Sequence, residues 1–223
     1  MQVIPEAALK PGASADLMLS GPAGRLEALI ASPKDRLRGV CVVCHPHPLF
    51  GGTMTNKVVW TLSNAALKCG LRTVRFNFRG VGRSEGLFDD TLGETADACA
   101  VAEQLQATAP GLPLVMAGFS FGGHVALKAA ARLDTAALVT IAPPMGRYLK
   151  TTEPPAHPGV PWLAVHSADD DVVSYAETRA ALATYDPPPQ FVHFDDAGHF
   201  FHGRLGEVEA AVRDFLTPLL AAP

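Results

Sequence analysis

The chain has 223 residues, 48% hydrophobic, 18% charged and 7% aromatic, with 18 Lys and Arg against 22 Asp and Glu for a net charge of −4. This is enough apolar material for one well-filled core, which excludes a disordered chain, and too little length for two ordinary domains and a linker. The acidic balance and the scattering of Arg36, Arg38, Arg72, Arg75 and Arg79 argue against nucleic acid as a partner, and apolar runs such as Gly39–Cys44 and Ala136–Pro144 stop far short of a membrane span.

The opening decapeptide MQVIPEAALK has neither the basic nor the apolar region of a signal peptide, so the expected location is the cytoplasm. Two strands are expected first, Asp16–Leu19 and Arg25–Ser32, joined antiparallel by a Gly21-Pro22-Ala23-Gly24 turn. Val40–Cys44 is the third. Its Cys41 and Cys44 have the C-x-x-C spacing of a redox pair or half a zinc site, but on a strand residues three apart point to opposite faces, so the two sulfurs do not meet. Val58, Leu62, Ala65, Ala66 and Cys69 repeat with helical spacing. Then follow a strand Arg72–Phe78, a helix Leu92–Ala107 that contains Cys99, a strand Leu114–Phe119, a helix Phe121–Ala131 and a strand Ala137–Ala142. Cys69 and Cys99 read as small apolar fillers. A Pro- and Gly-rich loop, Pro143–Pro161, leads to a strand Trp162–Ser167, a helix Tyr175–Thr184, a strand Gln190–Phe194 and a last helix carrying Leu205, Val208, Val212, Phe215 and Leu219. Alternation of β-branched runs with amphipathic stretches defines the α/β class: one domain over residues 1–223, a predominantly parallel eight-stranded sheet with an antiparallel N-terminal hairpin, and helices on both faces.

The expected strand Leu114–Phe119 runs into Gly118-Phe-Ser120-Phe-Gly122-Gly, and a helical run begins at once. G-x-S-x-G at a strand-to-helix turn holds the serine hydroxyl above the sheet edge, beside the backbone N–H groups of a helix N-terminus, so Ser120 is the candidate nucleophile. A serine hydroxyl needs a base, and the base needs an orienting carboxylate. On this architecture the partners follow in the order Ser, Asp or Glu, then His, on loops after later strands. The loop after the last strand supplies His199, directly after Gly198, with His202 as the rival. The loop after Trp162–Ser167 supplies Asp169, Asp170 and Asp171. Three adjacent carboxylates repel one another if all are buried, so one turns inward; Asp170, two residues before Val172-Val173, is the choice, with Asp169 and Asp171 as alternatives.

With these residues in this order, the chain resembles the α/β-hydrolase superfamily. The stretches His45-Pro-His-Pro-Leu-Phe-Gly-Gly-Thr-Met54, Arg75-Phe-Asn-Phe-Arg-Gly-Val-Gly-Arg-Ser-Glu-Gly86 and His199-Phe-Phe-His-Gly-Arg-Leu205 make it similar to small, cap-less bacterial hydrolases described as dienelactone-hydrolase-like or esterase-like. The resemblance covers nearly the whole chain and implies the α/β-hydrolase fold without a cap domain and a Ser-His-Asp triad. It also implies an oxyanion hole from the N–H of Phe121 and from one just after the third strand. Where many members carry His-Gly there, this chain has His45-Pro46. Proline has no N–H, so Pro46 and Pro48 are excluded and His47 is the first eligible donor, with Leu49 behind it.

The His45 and His47 side chains are expected to bond nearby loop backbone rather than a metal, because no third ligand stands out. The run Arg79–Gly86 fits neither the dinucleotide nor the P-loop pattern and is expected to support the floor of the site. Phe50, Phe121 and Phe200 are candidates to line an acyl pocket. The expected activity is hydrolysis of a small-molecule carboxylic ester or thioester through an acyl-enzyme, with no cofactor implied. Acyl transfer or peptide hydrolysis by the same triad, or a non-catalytic ligand-binding protein on this fold, are the alternatives.

Overall fold

The apolar runs form eight strands: β1 (Ser14–Gly21), β2 (Gly24–Ala31), β3 (Gly39–Cys44), β4 (Leu71–Phe76), β5 (Leu114–Phe119), β6 (Ala137–Ile141), β7 (Trp162–Ser167) and β8 (Gln190–Phe194). Among the described residues six helices accompany them: α1 (Glu6–Leu9), α2 (Lys57–Lys68), α3 (Leu92–Gln106), α4 (Phe121–Ala130), α5 (Tyr175–Leu182) and α6 (Leu205–Leu220). The structure is a computed structural model and describes residues 4–146 and 155–221. All eight strands join one sheet in the order β1-β2-β4-β3-β5-β6-β7-β8. The pairs β1–β2 and β2–β4 are antiparallel and the remaining five are parallel.

Every residue of β3, β5, β6 and β7 is buried, as continuous apolar runs covered on both faces require. Val40, Val42, Cys44, Leu114 and Met116 face a core closed by α3 and α4, while Cys41, Val43, Val115, Ala117 and Phe119 face a second core closed by α2 and α6. Cys41 and Cys44 therefore lie on opposite sides of the sheet, as the strand period demands, and all four cysteines are free. No helix among the described residues is long and apolar enough to cross a membrane.

The structure adds two elements the sequence analysis did not anticipate, the single-turn α1 and a 3-10 turn at Pro48–Phe50, both too short to show periodicity. β4 ends at Phe76 rather than Phe78. Asn77 N still donates to Glu27 O at 2.8 Å, but Phe78 N turns to the imidazole Nε2 of His45 at 3.0 Å. The connection between β6 and β7 is the stretch Ala142–Pro161, with no cap domain among the described residues; residues 147–154 of the Pro- and Gly-rich loop lie outside the described residues.

The crossing of the chain at β3 sets the location of the site. From β3 it moves outward to β4 and then returns across β3 to β5, so the loops leaving β3 and β5 diverge at a topological switch point. Cys44, the last residue of β3, is in register with Gly118 of β5, which brings the His45 loop beside Ser120.

Candidate active site

Between β5 and α4 the chain reverses at Ser120, whose φ of 53° and ψ of −125° lie in a region that side chains seldom occupy. Close packing imposes this bend. A Cβ on Gly118 would stand 2.1 Å from Gly122 O, and one on Gly122 would stand 2.3 Å from Cys44 O and 2.4 Å from His45 O. Both neighbours are backbone and have no side chain to move aside, so the two glycines let α4 press against β5 and β3. Phe121 is the first residue of α4, so its N–H precedes the intrahelical ladder. Ser120 O caps the turn, accepting from Gly123 N at 2.8 Å and His124 N at 3.3 Å.

Three side chains from three loops meet at this bend. His199 Nε2 lies 3.1 Å from Ser120 Oγ, and His199 Nδ1 lies 2.8 Å from Asp170 Oδ2. The Asp170 side chain is fully buried, and that of His199 is 3% exposed. Burial pushes the Asp170 carboxyl up, but hydrogen bonds from His199 and from the Val173 and Val172 amides more than offset it and hold the group below its ordinary value. Asp170 Oδ1 accepts from Val172 N at 2.9 Å and Val173 N at 2.8 Å, which fixes the carboxylate and leaves Oδ2 for the imidazole. With Asp170 ionised, Nδ1 carries the proton and the Nε2 lone pair faces the hydroxyl.

Asp169 and Asp171 do not reach His199. Asp169 does something the sequence analysis missed. Its Oδ1 accepts from Gly198 N at 2.8 Å, Ala197 N at 3.1 Å and Ser167 Oγ at 2.5 Å, tying the end of β7 to the loop that carries His199. The Ser167 hydroxyl and the Gly198 amide hold this carboxyl below its ordinary value. Three adjacent acids after a strand, with a Gly-His after the next strand, were the only trace of this brace in the sequence. His202 is exposed, and its ring lies 5.9 Å from that of Phe200.

The His45 loop is the second wall. His45 is fully buried; Nδ1 lies 2.6 Å from Pro46 O and Nε2 accepts from Phe78 N at 3.0 Å. One nitrogen must donate and the other accept, so the ring is neutral, and burial lowers its pKa to about 3. Both nitrogens are thus committed to backbone. Among the described residues no group of three or more His, Cys, Asp or Glu is placed to hold a metal ion. His47 begins the 3-10 turn, and its Nδ1 accepts from Leu49 N at 3.2 Å, so the fallback donor Leu49 is already engaged. The His47 ring lies 4.8 Å from Phe121, 4.7 Å from Phe50 and 5.1 Å from Phe88, which seats the turn on the first residue of α4.

The three aromatic candidates separate. Phe121 is buried in the core beneath His47, whereas Phe50 is 78% and Phe200 43% exposed. Phe50 stands beside His47, and Phe200 packs edge-on against His199 at 5.0 Å. Phe78, just before the Arg79–Gly86 loop, packs 4.5 Å from His45 and 5.8 Å from Phe121. Arg79 is clamped by Asp97 of α3 at 2.7 and 2.8 Å.

Residues 43–158 match the family described as alpha/beta hydrolase fold. The chain belongs to this family. Its structure superposes on a lidless a/b serine hydrolase from Xanthomonas campestris with a TM-score of 0.87 and 39% identity, covering 96% of this chain and 99% of that one. An alpha-beta serine hydrolase homologue from Coxiella burnetii is similar at a TM-score of 0.82 and 39% identity, with 90% of this chain and 96% of that one covered. An uncharacterised protein of Rickettsia prowazekii is 30% identical over 208 residues, 90% of this chain and 87% of that protein. The family and the lidless serine hydrolases it resembles support a hydrolase.

Proposed function

We propose that this protein is a serine hydrolase that cleaves a small-molecule carboxylic ester or thioester through an acyl-enzyme. The observation that carries the reading is the unbroken relay Asp170–His199–Ser120, at 2.8 and 3.1 Å, ending on a strained serine. Ser120 Oγ attacks the acyl carbon while His199 Nε2 takes its proton, and Asp170 stabilises the imidazolium. The Phe121 and His47 amides receive the negative charge that develops on the carbonyl oxygen. As the tetrahedral species collapses, His199 returns the proton to the departing alcohol or thiol. Water then repeats the sequence, freeing the acid and restoring Ser120–OH.

Phe50, beside His47, and Phe200, against His199, are exposed and offer apolar surface to the acyl or leaving group. The free thiols suit action in the cytoplasm. A fluorophosphonate probe is expected to label Ser120 in the wild type and to leave Ser120→Ala unlabelled, alongside turnover of p-nitrophenyl and thioester acyl chains. Undiminished labelling of Ser120→Ala, or no labelling and no turnover of any chain length, overturns the assignment.

A further inference from the structure

One concavity of the molecule lies away from Ser120. A groove of about 920 Å³ opens at the opposite, amino-terminal edge of the sheet, where α2 covers β3 and β4 and packs on α6 but one face of the β1–β2 hairpin is left bare. Ligand sites run from about 300 to 1,000 Å³, so the groove is of small-molecule size. Its floor is Leu29 and Ala31 of β2 with Leu67 of α2, and Arg75 of β4 pairs in register with Leu29. None of its lining residues belongs to the triad, the His45 loop or the Arg79–Gly86 loop.

Charge distinguishes this groove from the rest of the surface. Six of the 18 Lys and Arg line it, Lys34, Arg36, Arg38, Lys68, Arg75 and Arg213, against Asp35 alone of the 22 Asp and Glu. Glu209 answers Lys68 at 2.6 Å and lies 4.0 Å from Arg213. Among the described residues no carboxylate forms an ion pair with Lys34, Arg36, Arg38 or Arg75, and burial holds the Arg75 guanidinium below its ordinary value, with Asp16 offsetting part of that. Arg75 Nε is buried without a hydrogen-bond partner, while its Nη1 donates to Met54 O at 2.9 Å. Unpaired cations converging on a concave surface in an acidic protein raise the local concentration of anions. Trp60, on the α2 wall, is 53% exposed, an apolar ring held in water at the margin of the basic patch.

We propose that this groove binds an organic phosphate of nucleotide size, its phosphates against Lys34, Arg36 and Arg38 and its ring against Trp60. The basic loop supplies the charge complementarity, and the bare hairpin face with Trp60 supplies an apolar bed that inorganic phosphate cannot use. The concave shape favours a compact ligand over a flat bilayer.

Calorimetric titration of the full chain with ADP and with pyrophosphate at low salt tests this. Saturable one-to-one binding of ADP is expected, at least tenfold tighter than pyrophosphate and weakened by added salt. Lys34→Glu/Arg36→Glu should weaken ADP at least tenfold, and Trp60→Ala should bring ADP down to the level of pyrophosphate. Unchanged fluorophosphonate labelling of Ser120 in both variants reports that they are folded and keeps this outcome separate from the fate of the hydrolase assignment. No saturable ADP binding, equal binding of pyrophosphate, full affinity in both variants, or protection of Ser120 by ADP overturns the proposal. So does binding only to phosphatidylglycerol vesicles, which would make this face a membrane contact.

Discussion

The two loops that meet at the candidate site are held in different ways. The bend at Ser120 is enforced by backbone against backbone: Gly118 and Gly122 have no room for a Cβ, and Ser120 takes a positive φ because α4 sits directly on β5 and β3. The loop carrying His199 has no such close approach; Gly198 has a φ of 59°, but a Cβ on it would meet nothing within 4 Å. It is held instead by hydrogen bonds to two carboxylates, Asp170 on the imidazole and Asp169 on the Gly198 and Ala197 amides. One side of the site is fixed by steric exclusion, and on the other, where Phe201 is buried against Phe194, the imidazole itself is oriented by polar contacts that a single substitution can remove.

The largest expected effect follows from the polar side. Asp170→Asn removes the acceptor that sets the tautomer of His199 and should lower turnover roughly 10⁴-fold, while the fold is kept. Asp169→Asn acts only through the position of the loop, so its loss should be roughly 10- to 100-fold. Steady-state kinetics of the two variants on one ester make the comparison, and a larger loss in Asp169→Asn would reverse the assignment of the two acids. The steric side is probed by Gly122→Ala, whose methyl has only the Cys44 and His45 carbonyls to push against. Overpacking of this kind should cost about 3 kcal/mol or more, read from urea unfolding. A variant as stable as the wild type, with normal labelling of Ser120, would show that the bend does not depend on close approach.

A smaller effect concerns pH. Burial lowers the pKa of His45 to about 3 and of His124 to about 4, so both are neutral in the folded chain. In the unfolded chain they take up protons below their ordinary value of 6.5. Their contribution to stability is therefore complete above pH 6.5 and is lost as the pH falls towards 4 and 3, by about 2 kcal/mol per histidine at pH 5. Urea midpoints at pH 7.5 and pH 5 should differ accordingly, and His45→Gln should shrink the difference. Equal midpoints in the wild type would mean that His45 does not anchor the wall beside the Ser120 bend as a neutral ring.

Ser120 was legible because everything that makes the bend lies within five residues and needs glycine at two of them. His199 and Asp170 were legible from chain order, since loops after successive parallel strands gather at one edge of the sheet. The brace by Asp169 was not, because three consecutive aspartates look alike until the loop folds and one carboxylate finds amides 28 and 29 residues away. The hidden clamp of His45 on Phe78, which ends β4 two residues early, also depends on partners from different strands.

The same division separates the two edges of the molecule. Periodicity, glycine spacing and strand order are local properties of the chain, and they were sufficient for the α/β class, the antiparallel hairpin and the elbow. Arg36, Arg38 and Arg75 looked scattered for the same reason that they now stand together: they come from a loop and a strand that meet only when β2 pairs with β4. A basic groove is a sum of charges over distance, and distance between residues remote in sequence is set by the tertiary fold alone.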